Sequence, residues 1–247
     1  MKKTLSYILS FIIYLSSLLI VSILIFNNEL SIKQTKNILD KTNYYENALT
    51  NINKKIDTIV IDENLSKEYN NYFNKSMIIK DINTLLKDKE TEISHYDKLY
   101  KIIEKYDISK ESKDKYTKKI DEIYQKNIFP IKEYRNINKL YLNNNQSLYL
   151  SIILVLITFF TSIVLLLINK NIYYHKISML ALSITLIMPK VLLTLFNIFK
   201  NFVYSNTYFT NYFLKILYNI ENKLFIIGLL IMILILLNKI INSRTKN

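Results

Sequence analysis

Four hydrophobic segments divide this chain, and they constrain its fold more than any other feature. They cover residues 5–26, 147–168, 177–199 and 224–241. A helix needs about 20 mainly apolar residues to cross the ~30 Å hydrocarbon core of a bilayer, and each segment falls within the usual range around that length. The sequence therefore predicts four transmembrane helices, with the lipid bilayer as the first partner of the chain.

The first segment is predicted to be an uncleaved signal anchor, which makes residues 1–26 a separate unit. Lys2 and Lys3 supply the positive charge that precedes such a segment. The apolar stretch is longer than that of a cleaved signal peptide, which has about 7–15 residues, and no Ala-x-Ala-like cleavage site follows it. Residues 25–29 read Ile-Phe-Asn-Asn-Glu, which offers no cleavage signal.

Residues 27–146 form one polar block, which has the size of an ordinary domain and can bury a core. The whole chain carries a net charge of +13, but this block holds 22 Lys and Arg against 19 Asp and Glu. The excess of cations therefore lies mainly outside the block. This distribution argues against a nucleic-acid partner, which would need a concentrated basic surface.

The remaining cations predict how the chain is oriented in the membrane. Seven of them lie in segments without a carboxylate: Lys2, Lys3, Lys170, Lys176, Lys239, Arg244 and Lys246. Short cytoplasmic segments carry such an excess of Lys and Arg. We therefore predict that both termini and the turn 169–176 are cytoplasmic, whereas residues 27–146 and the loop 200–223 are extracytoplasmic.

Apolar residues recur every three or four positions through most of the polar block. Examples are Ile52 and Ile56, Ile78 and Ile82, and Tyr116 and Ile120. This period is typical of amphipathic helices, and no sustained alternation of the kind found in strands occurs. The sequence predicts an all-α protein whose extracytoplasmic domain is a bundle of four to six helices.

Two polar residues are predicted to begin helices of this bundle. Asn43, followed by Glu46, resembles a capping box, and Ser76 is a candidate N-cap for the helix that follows. The amphipathic faces are interpreted first as core packing, with a groove for a partner as the alternative.

Two features of the membrane segments are candidates for function or packing. Lys190 follows Pro189 inside the third segment, where charged residues are costly and often functional, although a lysine can also snorkel to the interface. Pro189 is expected to kink the helix. Pairs of small or hydroxyl residues, such as Ser6 with Ser10, predict close helix contacts.

The loop 200–223 is rich in Tyr and Phe at helical spacing. Such aromatic residues are typical of the membrane–water interface, so a separate interfacial helix is predicted. A contact surface for the extracytoplasmic domain is the alternative. Together with the turn 169–176, this loop connects the three helices of the predicted membrane domain, residues 147–247.

No residue pattern in the chain indicates catalysis, a metal or a cofactor. There is no cysteine, and the single glycine excludes phosphate-binding and nucleophile-elbow motifs. His95 and His175 lack nearby ligands and are predicted to lie on opposite sides of the membrane. The adjacent acidic pairs, among them Asp121 with Glu122, are interpreted as exposed charge. We therefore expect a protein that is not an enzyme.

Parts of the chain resemble uncharacterised four-pass membrane proteins of low-GC Gram-positive bacteria. The resemblance lies in the Met-Lys-Lys start with its long anchor, in LDKTNYYE at residues 39–46, and in IIKDIN at residues 78–83. It implies a helical outer domain and carries over no functional residue. The order of spans and outer block is also similar to permeases of the cell-division and macrolide-exporter type, in which residues 173–182 would meet an ATPase.

Three functions therefore remain open. The first is a non-enzymatic envelope protein that senses or binds another envelope component through its outer helical domain. Its candidate partners are an envelope protein, a wall component or a second copy of the chain. The alternative is a permease-like subunit of an ABC-type transporter or mechanotransmitter. The third, an enzyme acting on lipid or wall precursors near Lys190, has only that residue to support it.

Overall fold

A computed structural model describes residues 2–60, 63–87, 91, 93–138, 144–169, 172–195 and 207–244 of the chain. Within these ranges the regular structure is helical, and no strand occurs. This result confirms the all-α prediction for the part of the chain that the structure describes.

Eleven helices occur in the described residues. The first five are α1 (Lys2–Glu29), α2 (Ile32–Lys41), α3 (Tyr44–Asp57), α4 (Glu63–Tyr72) and α5 (Lys75–Lys87). The others are α6 (Tyr96–Glu104), α7 (Lys110–Ile128), α8 (Ile131–Asn138), α9 (Asn144–Ile168), α10 (Tyr173–Leu195) and α11 (Thr207–Arg244). The chain divides into two compact units, which we describe separately. The membrane unit comprises Met1–Ser31, Leu140–Phe202 and Leu214–Asn247, and the helical domain comprises Ile32–Lys139 and Val203–Phe213.

Four helices are long and apolar enough to cross a membrane, which confirms that prediction. The spanning segments are Lys2–Glu29, Asn145–Ile168, Tyr173–Leu195 and Thr210–Ile241. The last of them differs from the prediction of a loop at 200–223 before a span at 224–241. Residues from Thr207 onward belong to the same helix as the fourth span. Residues 200–206 of the predicted loop lie outside the described residues.

In the membrane unit, α1 packs against α9 and α10 through small polar side chains. The Ser10 hydroxyl lies 2.7 Å from the Ser178 hydroxyl and donates to the Tyr174 carbonyl at 3.0 Å. Farther along α1, the Ser16 and Thr158 hydroxyls are 2.7 Å apart. Because lipid tails are as apolar as leucine side chains, helices in a membrane associate through close packing and hydrogen bonds of this kind.

The helical domain is built from amphipathic helices that bury one face. Ile52 and Ile56 of α3, Ile82 of α5 and Ile120 of α7 are all fully buried. Burial of an aliphatic side chain of this size contributes roughly 1.5–3 kcal/mol, so a few such faces stabilise the domain substantially. The apolar residues that recur every three or four positions in the sequence are the residues that these helices bury.

The number of helices in the polar block was underestimated. The described part of residues 27–146 contains the seven helices from α2 to α8, together with the ends of α1 and α9, whereas four to six were predicted. The additional helix is α2, which carries Lys33, Lys36 and Lys41 and buries only Thr35, Ile38 and Leu39. So short an apolar face gives a weak sequence signal.

The predicted helix caps are only partly correct in position. Asn43 precedes α3, but it adopts a left-handed conformation with φ of 51° and makes no side-chain cap hydrogen bond. The prediction for Ser76 was wrong, because α5 begins at Lys75 and the Asn74 side chain accepts from the Met77 amide at 3.0 Å. Asn74 is the better cap because its side-chain oxygen reaches the amide group of the first helical turn.

Candidate functional site

A buried polar cluster surrounds His95 in the helical domain. The His95 Nε2 atom lies 2.8 Å from Asp81 Oδ2, and the Tyr124 hydroxyl donates to the same oxygen at 2.6 Å. The Tyr72 hydroxyl lies 3.0 Å from His95 Nδ1. The cluster therefore joins α4, α5 and α7 to the residue that precedes α6.

Aromatic rings enclose the imidazole. Phe73 stacks on Tyr124 with ring centroids 4.6 Å apart, and the His95 ring lies edge-on to Tyr124 at 4.9 Å. The Tyr72 ring contacts His95 at 5.8 Å in a similar orientation. Edge-to-face and offset-stacked arrangements of this kind are favourable, so the rings fix the orientation of the imidazole.

A second buried carboxylate holds the start of α6 in place. Asp121 accepts hydrogen bonds from the His95 amide at 2.8 Å and from the Ser94 hydroxyl at 2.7 Å. Gln125 of the same helix donates to Asp121 at 3.0 Å. The prediction that Asp121 is an exposed charge was wrong, because Asp121 is only 7% exposed.

Burial and hydrogen bonds within the His95 cluster fix the charge states of Asp81 and Tyr124. Burial raises the pKa of Asp81, but hydrogen bonds from His95 and Tyr124 outweigh this effect and hold the pKa below its ordinary value. Burial, followed by the hydrogen bond to Asp81, raises the pKa of the Tyr124 hydroxyl far above its ordinary value. Asp81 is therefore ionised and Tyr124 neutral at neutral pH, and the tyrosine can only donate to this carboxylate.

The cluster is suited to holding helices together rather than to acid–base catalysis. An ionised carboxylate can only accept, so His95 donates through Nε2–H to Asp81, and the Tyr72 hydroxyl lies within hydrogen-bond distance of Nδ1. Both ring nitrogens are thus occupied by protein partners. The side chains of His95 and Asp81 are only 10% and 12% exposed, which leaves little access for a substrate.

The sequence contained a signal for this cluster that periodicity alone did not reveal. Asp81 occupies the same helical stripe as Ile78, Ile82 and Leu85, where an apolar residue is expected. Asp121 likewise adjoins the buried Ile120 and Tyr124. A carboxylate on a buried face requires a partner, because an isolated charge is costly to bury.

A cavity of about 410 Å³ lies beside the start of α8. Small-molecule sites usually have volumes of about 300–1,000 Å³, and this cavity falls within that range. The apolar part of its lining consists of Leu85, Ile93, Ile128, Phe129, Pro130 and Ile131. The polar part includes Gln125, which also donates to Asp121, so the lining and the His95 cluster share a hydrogen-bonded residue.

Cationic side chains predominate among the charged groups of the cavity. Lys126, Lys132 and Arg135 line it together with one carboxylate, that of Glu133. Lys126 is already paired with Glu122 at 3.2 Å. The Nε atom of Arg135 is buried and has no hydrogen-bond partner in the part of the chain that the structure describes. An unsatisfied buried donor is costly.

The intramembrane candidates Pro189 and Lys190 lie in α10. The Lys190 ammonium group donates to the Asn222 side chain at 2.5 Å and lies 4.7 Å from the centre of the Phe225 ring. Lys190 is thus held by α11 through a hydrogen bond and a cation–π contact. Pro189 lies inside the helix, where it lacks an amide donor.

The same end of α11 also contacts a buried charge on α1. Glu29 of α1 is fully buried and forms a salt bridge with Lys223. The Asn219 side chain donates to Glu29 at 3.1 Å. Polar residues of α11 therefore bind partners on both α1 and α10 within the membrane unit. This arrangement accounts for Asn219, Asn222 and Lys223 as helix-packing contacts.

The predicted topology determinants lie at helix ends wherever the structure describes them. Lys2 and Lys3 are exposed in the first turn of α1, Lys176 lies in the first turn of α10, and Lys239 is exposed near the end of α11. Arg244 is the last residue of α11. Lys170 and Lys246 lie outside the described residues. The orientation that these cations predict stays a prediction.

Among the residues that the structure describes, no three His, Asp or Glu side chains come together as a metal site. No protein-family model, curated protein or solved structure matches this chain. The resemblance to uncharacterised four-pass membrane proteins therefore stays a prediction. Inference about function depends on the geometry of the cavity and of the His95 cluster.

Proposed function

We propose that this chain is a non-enzymatic membrane receptor of the cell envelope whose helical domain binds a small solute. In this proposal the four spans anchor the protein, both termini lie in the cytoplasm, and the helical domain faces outward. The observation that carries the proposal is the cavity of about 410 Å³, whose lining combines apolar side chains with the cations Lys132 and Arg135.

The His95 cluster supports binding rather than catalysis. The titratable side chains of the cluster form hydrogen bonds with one another. Gln125, which lines the cavity, connects it to the cluster by its hydrogen bond to Asp121. A ligand that moved Gln125 would change the contact that caps α6. The cluster is therefore a route by which occupancy of the cavity alters helix packing, with Gln125 as a positioning residue.

The permease-like alternative has less support from the structure. It assigns residues 173–182 to a helix that contacts an ATPase. These residues form the first turns of α10, and Tyr174 and Ser178 among them are bound to Ser10 of α1. They serve the packing of the membrane unit, which favours the receptor.

The proposal can be tested by a search for a ligand with the full chain in lipid nanodiscs. The protein is incubated with small molecules extracted from bacterial envelopes, and retained compounds are identified by mass spectrometry. Ile131→Trp narrows the cavity, whereas Ile32→Trp places the same side chain at an exposed position of α2. We expect a compound that the wild type and Ile32→Trp retain and Ile131→Trp does not. Equal retention by all three proteins would contradict the proposal.

A further inference from the structure

We propose that the cavity beside α8 binds an amphiphilic anion, in which an apolar body carries one carboxylate or phosphate group. This inference rests on the proposed function and adds the chemistry of the ligand. A water-sized group occupies ~30 Å³. A cavity of about 410 Å³ therefore has room for roughly 12–14 non-hydrogen groups of this size. A medium-chain acid or alkyl phosphate has this size, whereas a folded protein partner would need a far larger surface.

The charged end of the ligand is assigned to Arg135 and Lys132. Both side chains line the cavity and carry positive charge; Lys132 is exposed and Arg135 is half-buried. The planar guanidinium group of arginine suits the geometry of carboxylates and phosphates. Glu133 is the one carboxylate in the lining, against the three cations Lys126, Lys132 and Arg135.

The start of α8 adds to the preference for an anion. Pro130, Ile131 and Lys132 line the cavity at this helix terminus. The first amide groups of a helix lack intrahelical partners and carry partial positive charge. The Ile131 amide already donates to the Phe129 carbonyl at 2.8 Å, so the amide groups of Lys132 and Glu133 are the ones left to act together with the side chains of Lys132 and Arg135.

The apolar end of the ligand is assigned to the apolar part of the cavity lining. Leu85, Ile128 and Phe129 are at most 6% exposed, and Ile93 and Ile131 complete this surface. Inorganic phosphate alone would leave these side chains without a contact. The combination of a cationic and an apolar lining therefore favours one molecule that carries both properties.

The test uses the full chain in phosphatidylcholine nanodiscs and a decanoic acid that carries a photoreactive diazirine on its chain. After irradiation, crosslinked peptides are identified by mass spectrometry, which separates labelling of the cavity from labelling of the spans. Decanoate, decyl phosphate, decanol and decyltrimethylammonium are added as competitors. The first two distinguish a carboxylate from a phosphate ligand, whereas the last two share the chain and lack the negative charge.

We expect crosslinks in peptides that contain Leu85 or residues 128–131, reduced by decanoate or decyl phosphate and unaffected by the other two compounds. Arg135→Gln should lower this labelling about tenfold, which is the loss expected for a hydrogen bond between charged groups. The control Lys54→Gln removes an exposed cation of α3 and should leave labelling unchanged.

Two results would overturn the inference, and they bear differently on the proposed function. If decanol competes as well as decanoate, the ligand is not selected by charge, although the cavity remains a binding site. If labelling occurs only in the spans, the cavity takes no such amphiphile. In that case the ligand search with Ile131→Trp decides whether the receptor proposal also fails. The competitor series uses the wild-type protein, so a folding defect in Arg135→Gln cannot decide the result.

Discussion

At the scale of single residues, Asp81 is the group on which the polar core of the helical domain depends. Its Oδ2 atom receives both the Tyr124 hydroxyl and His95 Nε2. Removing one member of a buried charged cluster leaves the other members without partners, which is more costly than the net contribution of the interaction itself. The effect of a substitution at Asp81 should therefore exceed that of an equivalent change at the surface.

We expect Asp81→Asn to destabilise the helical domain by about 2 kcal/mol, because the uncharged amide oxygen is a weaker acceptor than the carboxylate for the hydrogen bonds from Tyr124 and His95. Hydrogen exchange of α5 and α7 peptides, measured by mass spectrometry on the full chain, gives the local free energy of opening. The matched control is Asp114→Asn, since Asp114 binds Tyr96 and Lys118 at the surface. Similar effects of the two substitutions would contradict this interpretation.

Asp81 also predicts how the stability of the domain depends on pH. In the folded domain the pKa of Asp81 is lower than the ordinary value, which is about 3.9 in the unfolded chain. The charged form is then favoured by folding, so this stabilisation is present above that value and is lost as the pH falls through the lowered pKa.

Protection of α5 and α7 in the wild type should therefore decrease below about pH 4 more than protection in Asp81→Asn. Comparison of the two proteins at each pH removes the intrinsic pH dependence of amide exchange. A constant difference between them from pH 6 to the acid range would show that Asp81 is not responsible. Here the measurement concerns the helical domain, because the cluster lies entirely within it.

At the scale of helices, the contact between α10 and α11 depends on the single glycine of the chain. A Cβ atom at Gly228 would lie 3.0 Å from the Ser183 carbonyl oxygen and 2.8 Å from Ile187 Cγ1. The Ser183 hydroxyl also donates to the Gly228 carbonyl at 3.0 Å. The isoleucine side chain can move, but the backbone oxygen can do so only if the helices separate.

Gly228→Ala should therefore destabilise the membrane unit by about 1–3 kcal/mol, as is usual for overpacking of a close contact. The thermal midpoint of the full chain in mild detergent provides the measurement. Leu234→Ala, on an exposed face of the same helix, is the control and should have little effect. An unchanged midpoint for Gly228→Ala would mean that α10 and α11 do not approach this closely.

At the scale of the whole molecule, the proposed orientation requires the two parts of the chain to be accessible from different sides of the membrane. The chain contains no cysteine, so single cysteines can be introduced without a background. Lys115 is exposed in α7, and Ser243 lies in the last turn of α11. These positions report on the helical domain and on the C-terminal end of the last span.

We expect a membrane-impermeant maleimide to label Lys115→Cys in intact cells, and to label Ser243→Cys only after the membrane is permeabilised. The expectation follows from the proposed orientation, in which the cations near the ends of the spans are cytoplasmic. The reverse pattern would invert the topology. It would also place the cavity beside α8 in the cytoplasm, so that an envelope solute could not be its ligand.

Secondary structure was largely predictable where it depends on local pattern. The four spans followed from length and apolarity, and the helices of the polar block followed from a period that α3, α5 and α7 keep on their buried faces. Shorter elements were not predicted as well. The additional helix α2 buries few apolar residues, and the cap of α5 depends on the neighbouring Asn74 rather than on Ser76.

The sequence by itself determined that the chain is helical and enters a membrane, because hydrophobic length and period act along consecutive residues. Only the tertiary structure decided which polar residues act together. Asp81, His95 and Tyr124 are separated by up to 43 positions, and Lys190 and Asn222 by 32. Such contacts depend on how helices pack, and no local pattern encodes them. The same reason explains why the cavity with its apolar and cationic lining became apparent only in the folded chain.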